Sequence, residues 1–239
     1  MQIDINKCFF CSEEITEKKT QKHIIPNSLL GKMGIKNETI KGRGEFTYSR
    51  LKVPAHSKCN SEFGSRYESE IIEFLKNPNE TYRTLINEEQ GIPLQYGPDN
   101  SVTSKISTWL MKIYYGIFYN DYLKVKDEEW KLISKNIIDI PNFNFIRKSY
   151  KNSYGFYLPS SLYSFKSKDS LFDLKTLIFS QTIMMQIDSL IFILNIADGY
   201  LLCHYLNLEL LTDFRFNLIQ NEKSKEIFPT RIFALSELV

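Results

Sequence analysis

Cys8-Phe9-Phe10-Cys11 and His56-Ser57-Lys58-Cys59 are the stretches of this 239-residue chain whose residue types and spacing could do chemistry together. Each sets a pair of metal-ligating side chains two residues apart, the gap with which a tight turn grips one side of a tetrahedral ion. Combined, they predict a Cys3His site for one structural zinc, held by Cys8, Cys11, His56 and Cys59. Three of the four cysteines and one of the three histidines fall in this paired pattern, which cysteines that merely pack would have no reason to follow. A segment pinned at both ends by such an ion would fold together with metal binding.

Basic residues crowd the interval between these clusters. From Lys18 to Lys58 there are ten Lys or Arg against Glu38 and Glu45, a local net of +8 in a chain whose formal total is +2. The remainder therefore carries −6. Such a concentration suits phosphate neutralisation and points to a polyanionic substrate, DNA first and RNA as the other candidate.

Within the same interval runs Gln21-Lys22-His23-Ile24-Ile25-Pro26-Asn27-Ser28-Leu29-Leu30-Gly31, and directly after the second cluster comes Asn60-Ser61-Glu62-Phe63-Gly64-Ser65-Arg66-Tyr67-Glu68. In order and spacing, the two clusters and these two stretches resemble the HNH endonucleases, over roughly the first third of the chain. The resemblance implies a ββα-metal fold with a zinc knuckle, and a metal-dependent nuclease that hydrolyses phosphodiester bonds in DNA. It makes His23 the general base and Asn60 the residue that tethers the loop holding that base. Glu68 becomes the ligand of a catalytic Mg2+ or Mn2+. Lys22 departs from the pattern, because family members carry Asp, Glu or His there to hold the catalytic metal, and an ammonium cannot ligate a cation. Either Glu68 or Glu45 supplies the missing ligand, or Lys22 itself takes over part of the metal's electrostatic role, or the site only binds. The last case makes the protein a non-catalytic, zinc-dependent nucleic-acid-binding module. Small nucleases of this type look like prokaryotic defence or mobile-element effectors.

The elements that must position these residues follow from local pattern. Ile24 and Ile25 before Pro26 suggest a short strand over His23 to Pro26. Asn27 to Lys32 suggests a helical turn closed by Gly31. Phe46 to Val53 alternates as a second strand stopped by Pro54. A helix capped by Asn60 or Ser61 should then run to about Lys76, burying Phe63, Tyr67, Ile71 and Phe74 on one stripe. Gly64 leaves room in the turn that Glu68 leans over, so that its carboxylate can reach the hairpin. Pro and Gly at 91, 93, 97 and 98 mark 81–100 as a linker.

Beyond it, Ser104 to Lys124 predicts a helix with Ile106, Trp109, Leu110, Ile113, Ile117 and Phe118 on one side, and Asp127 to Ile138 another. Residues 143 to 196 turn β-branched and aromatic, with Asp188-Ser189 and Asp198-Gly199 as turns. The reading is an α+β chain: a zinc-bound, HNH-like domain over 1–80, then a mixed helical and antiparallel-sheet domain over 101–239. The second domain carries no catalytic motif and suits homodimerisation, substrate selection or binding a protein partner. Cys203 and His204 fit a core. With 43% hydrophobic and 24% charged residues, no long apolar run and no basic head before an apolar stretch, the chain should be a cytoplasmic globular protein that does not enter a membrane.

Overall fold

In a computed structural model, residues 6–16, 20–40, 46–89, 102–139, 161–178 and 181–196 are described, and they form a mixed α+β structure with two small antiparallel sheets. The first knuckle opens it. Cys8 N–H donates to the Glu13 carbonyl (2.8 Å), Ser12 N–H donates back to the Cys8 carbonyl (3.0 Å), and Ser12 takes φ 65 to close the turn. Phe9 N–H donates to the Pro54 carbonyl (2.8 Å), which ties the knuckle to the hairpin that follows.

That hairpin pairs β1 (Thr20–His23) with β2 (Lys52–Ala55), Gln21 opposite Pro54 and His23 opposite Lys52. Both strands differ from expectation. β1 ends at His23, although Ile24 N–H still donates to the Leu51 carbonyl (3.0 Å), and Ile24 and Ile25 are buried in the core. β2 runs through Pro54, whose missing N–H costs nothing on a two-stranded ribbon with an open edge; Phe46 to Arg50 contributes only a 3-10 turn, Tyr48–Arg50. Helix α1 (Asn27–Lys32) lies where the sequence put it, but Gly34, at φ 72, supplies the left-handed residue past its end, not Gly31.

After β2 come α2 (Ser57–Phe63), a π-helical turn (Gly64–Glu68) and α3 (Ser69–Phe74), one helical run with an inserted residue. His56, not Asn60, takes the cap position, so Asn60 lies inside the first turns of α2. The wide turn brings Tyr67 and Glu68 inward together; Phe63, Tyr67 and Ile71 are buried as the stripe required, but Phe74 is only half-buried and Leu75 enters the core in its place.

Helix α4 (Pro78–Glu89) occupies the first half of the expected linker. Proline at the first helical position is pre-set for a helix start, and the Asn77 side chain accepts from Glu80 N–H (3.4 Å). The remaining linker residues, 90–100, lie outside the described residues. Helix α5 (Val102–Lys124) is the central element. The expected apolar side is buried, and so are Met111, Lys112, Tyr114, Tyr115, Asn120 and Asp121 around it. One face meets the knuckle and hairpin, with the Phe9 and Tyr119 rings 5.6 Å apart. The other meets α6 (Glu128–Ile138), capped by Asp127, and the ribbon of β3 (Ser161–Leu177) and β4 (Thr182–Asn195). Packed on both sides, this helix is buried nearly all round, polar residues included.

Asp188 does not end a strand. It sits inside β4 at φ 58, opposite a bulge between Lys166 and Leu171, and Gln186 Nε2 braces the bulge by donating to the Asp169 (2.8 Å) and Asp188 (3.1 Å) carbonyls. Residues 156–158, 198–199, Cys203 and His204 lie outside the described residues. Among those described, no helix is long and apolar enough to cross a membrane.

Candidate metal centre and the cleft beside it

Cys8, Cys11, His56 and Cys59 offer ligand atoms that all lie within 4.8 Å of one another. Knuckle and helix start bring them together: the turn of residues 8 to 13 presents one pair, and the step from β2 through His56 into α2 presents the other. Around a tetrahedral zinc with bonds of about 2.0–2.3 Å, neighbouring ligand atoms stand about 3.5–3.8 Å apart. The His56 Nδ1 distances to Cys11 Sγ (3.4 Å) and Cys59 Sγ (3.9 Å) match that spacing. On its other side, His56 Nε2 donates to the Glu14 carbonyl (3.1 Å), which fixes the tautomer and leaves the Nδ1 lone pair facing the sulfurs.

Packed this closely, the four groups perturb one another unevenly. Hydrogen bonding from Cys59 lowers the Cys8 thiol to about 4, while Cys59 is pushed above its usual range by the same contact. Burial raises Cys11. Burial alone would lower His56, but its bond to Glu14 and the charge on Cys8 leave it raised. The donor set and its spacing are compatible with a structural zinc site.

At the end of the hairpin away from His56, on its last ladder position, His23 lies half-buried with Lys52 directly opposite. The Asn27 carboxamide meets its Nε2 at 2.9 Å, and the other end of that carboxamide, Oδ1, is buried with no partner among the described residues. Burial lowers the His23 pKa, and Lys52, Lys112, Lys36 and Lys22 lower it further, so the imidazole is neutral at pH 7 amid four ammonium groups.

Glu68 reaches the hairpin, as the place left by Gly64 requires, but it meets lysines there. Lys22 Nζ lies 2.5 Å from its Oε2, and Lys112 Nζ is in contact with its Oε1. Lys112 also donates to the His23 carbonyl (2.8 Å), and Lys22 donates to the Asn60 carbonyl (3.4 Å). Burial would raise the Glu68 carboxyl, but Lys112 and Lys22 outweigh it and hold it below the usual carboxylate range. Burial brings Lys112 down to about 8 despite Glu68, so it remains charged at neutral pH. A Cβ on Gly64 would stand 3.3 Å from Lys22 Nζ, so the bare backbone there makes room for the ammonium.

Of the residues read from the sequence as one site, Lys22 and Glu68 meet directly, while Asn60 and His23 join them through their backbone carbonyls, which accept from Lys22 and Lys112. A divalent ion does not fit at Glu68, since both carboxylate oxygens already face cations. Glu45 lies outside the described residues.

Sequence reasoning passed over Lys112 and Asn120. Asn120 of α5 acts as a stub of a third strand: its Oδ1 accepts from Lys52 N–H (3.3 Å) and its Nδ2 donates to the Lys52 carbonyl (2.9 Å). Both residues carried a signal, being polar positions within the mostly apolar stretch 109–122. Comparison with family models, with curated proteins and with solved structures finds no match for this chain.

Proposed function

We propose that the protein is an HNH-type endonuclease that hydrolyses phosphodiester bonds in DNA, scaffolded by one zinc on Cys8, Cys11, His56 and Cys59. The observation that carries this reading is the place of His23 on the last rung of the hairpin, with Lys52 opposite it, Lys22 next to it on β1 and Lys112 on its carbonyl. A base surrounded by ammonium groups suits a substrate that is itself an anion. Rotating the Asn27 carboxamide to present its oxygen makes His23 Nε2 the donor, leaving the Nδ1 lone pair to accept a proton. Nδ1 then takes a proton from water as the water oxygen bonds to phosphorus. The bond from phosphorus to the leaving oxygen breaks, and that oxygen takes a proton from solvent.

The resemblance also implies Mg2+ or Mn2+ at Glu68, and the two ammonium groups on that carboxylate oppose it. The same pair favours a second reading, a zinc-dependent nucleic-acid-binding module without catalysis. A plasmid-nicking assay of wild type beside His23→Ala, without divalent ions and with Mg2+ or Mn2+, separates the two. Nicking by wild type that His23→Ala loses supports the enzyme. Nicking that survives His23→Ala undiminished removes His23 as the base, and DNA binding without nicking under every condition leaves the binding module.

A further inference from the structure

We propose that the Lys22–Glu68–Lys112 cluster stands in for a divalent cation beside His23, so that the site meets a phosphodiester with its own ammonium charge and excludes Mg2+ and Mn2+. The phosphate half of this inference rests on the function proposed above; the exclusion of metal rests on the geometry of the cluster.

Three elements converge to build it. Lys22 comes from β1, Glu68 from the π turn and Lys112 from α5, and each ammonium takes a different carboxylate oxygen. The side chains of Glu68 and Lys112 are 8% and 0% exposed, so Lys112 has no solvent to retreat into if an ion arrived. Its stem passes the Phe63 ring, with Nζ 5.3 Å from the ring centre, and a further N–H is spent on the His23 carbonyl. A metal ion at Glu68 would lie within a few ångströms of two fixed positive charges, with no second carboxylate among the described residues to offset them. The cluster instead carries a net charge of one positive unit. Lys22 is its outermost member, at 11% exposure, on the strand that ends in His23, and is the ammonium placed to meet a phosphate oxygen. Gly64 and the wide turn it opens are what allow that ammonium to sit there.

The test uses the full-length, zinc-loaded protein. Titration with Mn2+, followed by the electron paramagnetic resonance of free Mn2+, should find no site tighter than about millimolar in wild type. Lys22→Asp should gain one Mn2+ site, tighter by about tenfold or more, since an oxygen ligand then replaces a repelling charge. In parallel, a fluorescent DNA oligonucleotide should bind wild type equally well in metal-free buffer and in Mg2+ at matched ionic strength. Lys22→Met should weaken that binding by about fivefold or more with zinc content unchanged. One sub-millimolar Mn2+ site in wild type that Glu68→Gln abolishes, or DNA binding that appears only with Mg2+, would overturn the proposal. If Lys22→Asp does not fold, the wild-type titration and Lys22→Met decide. A wild type that binds DNA but never cleaves it counts against the nuclease reading, whereas the Mn2+ titration judges the metal exclusion independently.

Discussion

Replacing Lys112 with methionine removes one ammonium from the buried cluster while keeping most of the stem's volume, so little cavity results. Two interactions go: the contact with Glu68 and the 2.8 Å bond to the His23 carbonyl. Breaking a buried ion pair by deleting one partner costs about 3–5 kcal/mol, mostly from the charge left behind. Here Lys22 still holds Glu68 Oε2, which places the expected loss at the lower end, about 3 kcal/mol. Adding Glu68→Leu removes the stranded carboxylate, and Lys22 can turn toward water. The double variant should therefore lose less than the sum of the two single variants, with a coupling of about 1 kcal/mol or more.

Linkage gives a second readout. Lys112 titrates near 8 in the fold against 10.5 when free, so the unfolded chain binds more protons between those values. This residue's contribution to stability thus rises with pH from about 8 to 10.5, by about 3 kcal/mol at the limit, and Lys112→Met should lack that rise. Urea unfolding with zinc held constant measures both effects. A Lys112→Met variant within about 0.5 kcal/mol of wild type, or single and double variants that simply add, would refute the account of the cluster.

One zinc per chain should be found by metal analysis, and Cys59→Ser should lose it together with cooperative unfolding, because the ion ties the knuckle to the start of α2. Gly116→Ala should destabilise by about 1–3 kcal/mol, since its Cβ would meet Ile24 at 2.8 Å, and trimming Ile24 to valine should recover part of the loss in thermal melts. If His23 is the base, the acid limb of the cleavage rate should fall below pH 6.5, its lowered pKa keeping it unprotonated there. Asn27→Asp should move that limb upward by stabilising the imidazolium; an unmoved limb would detach the rate from this histidine. Duplex DNA affinity should fall steeply with salt, and charge reversal at Lys41 and Arg43 should weaken binding to unrelated sequences alike; salt-independent binding would argue against phosphate contacts.

The sequence by itself determined what local chemistry and spacing can carry. Paired ligands two residues apart set the Cys3His cluster, because the tight turn that such spacing imposes leaves the side chains few other places to point. The α5 and α6 segments were legible from periodicity, and Gly64 announced that Glu68 would reach the hairpin. Tertiary structure decided what Glu68 meets there. Lys112 lies 44 positions further along the chain, and no pattern around residue 68 could reveal that a distant helix would bring an ammonium to its carboxylate. Packing on two sides likewise made α5 the centre of the core, where its sequence alone suggested a one-sided helix. The hairpin boundaries moved for a related reason: Ile24 and Ile25, past the last rung, are buried among remote elements, and the edge of a two-stranded ribbon admits Pro54. Ligand spacing is a local property of the chain, whereas the charge a carboxylate faces depends on contacts between remote elements, and only the folded molecule makes them.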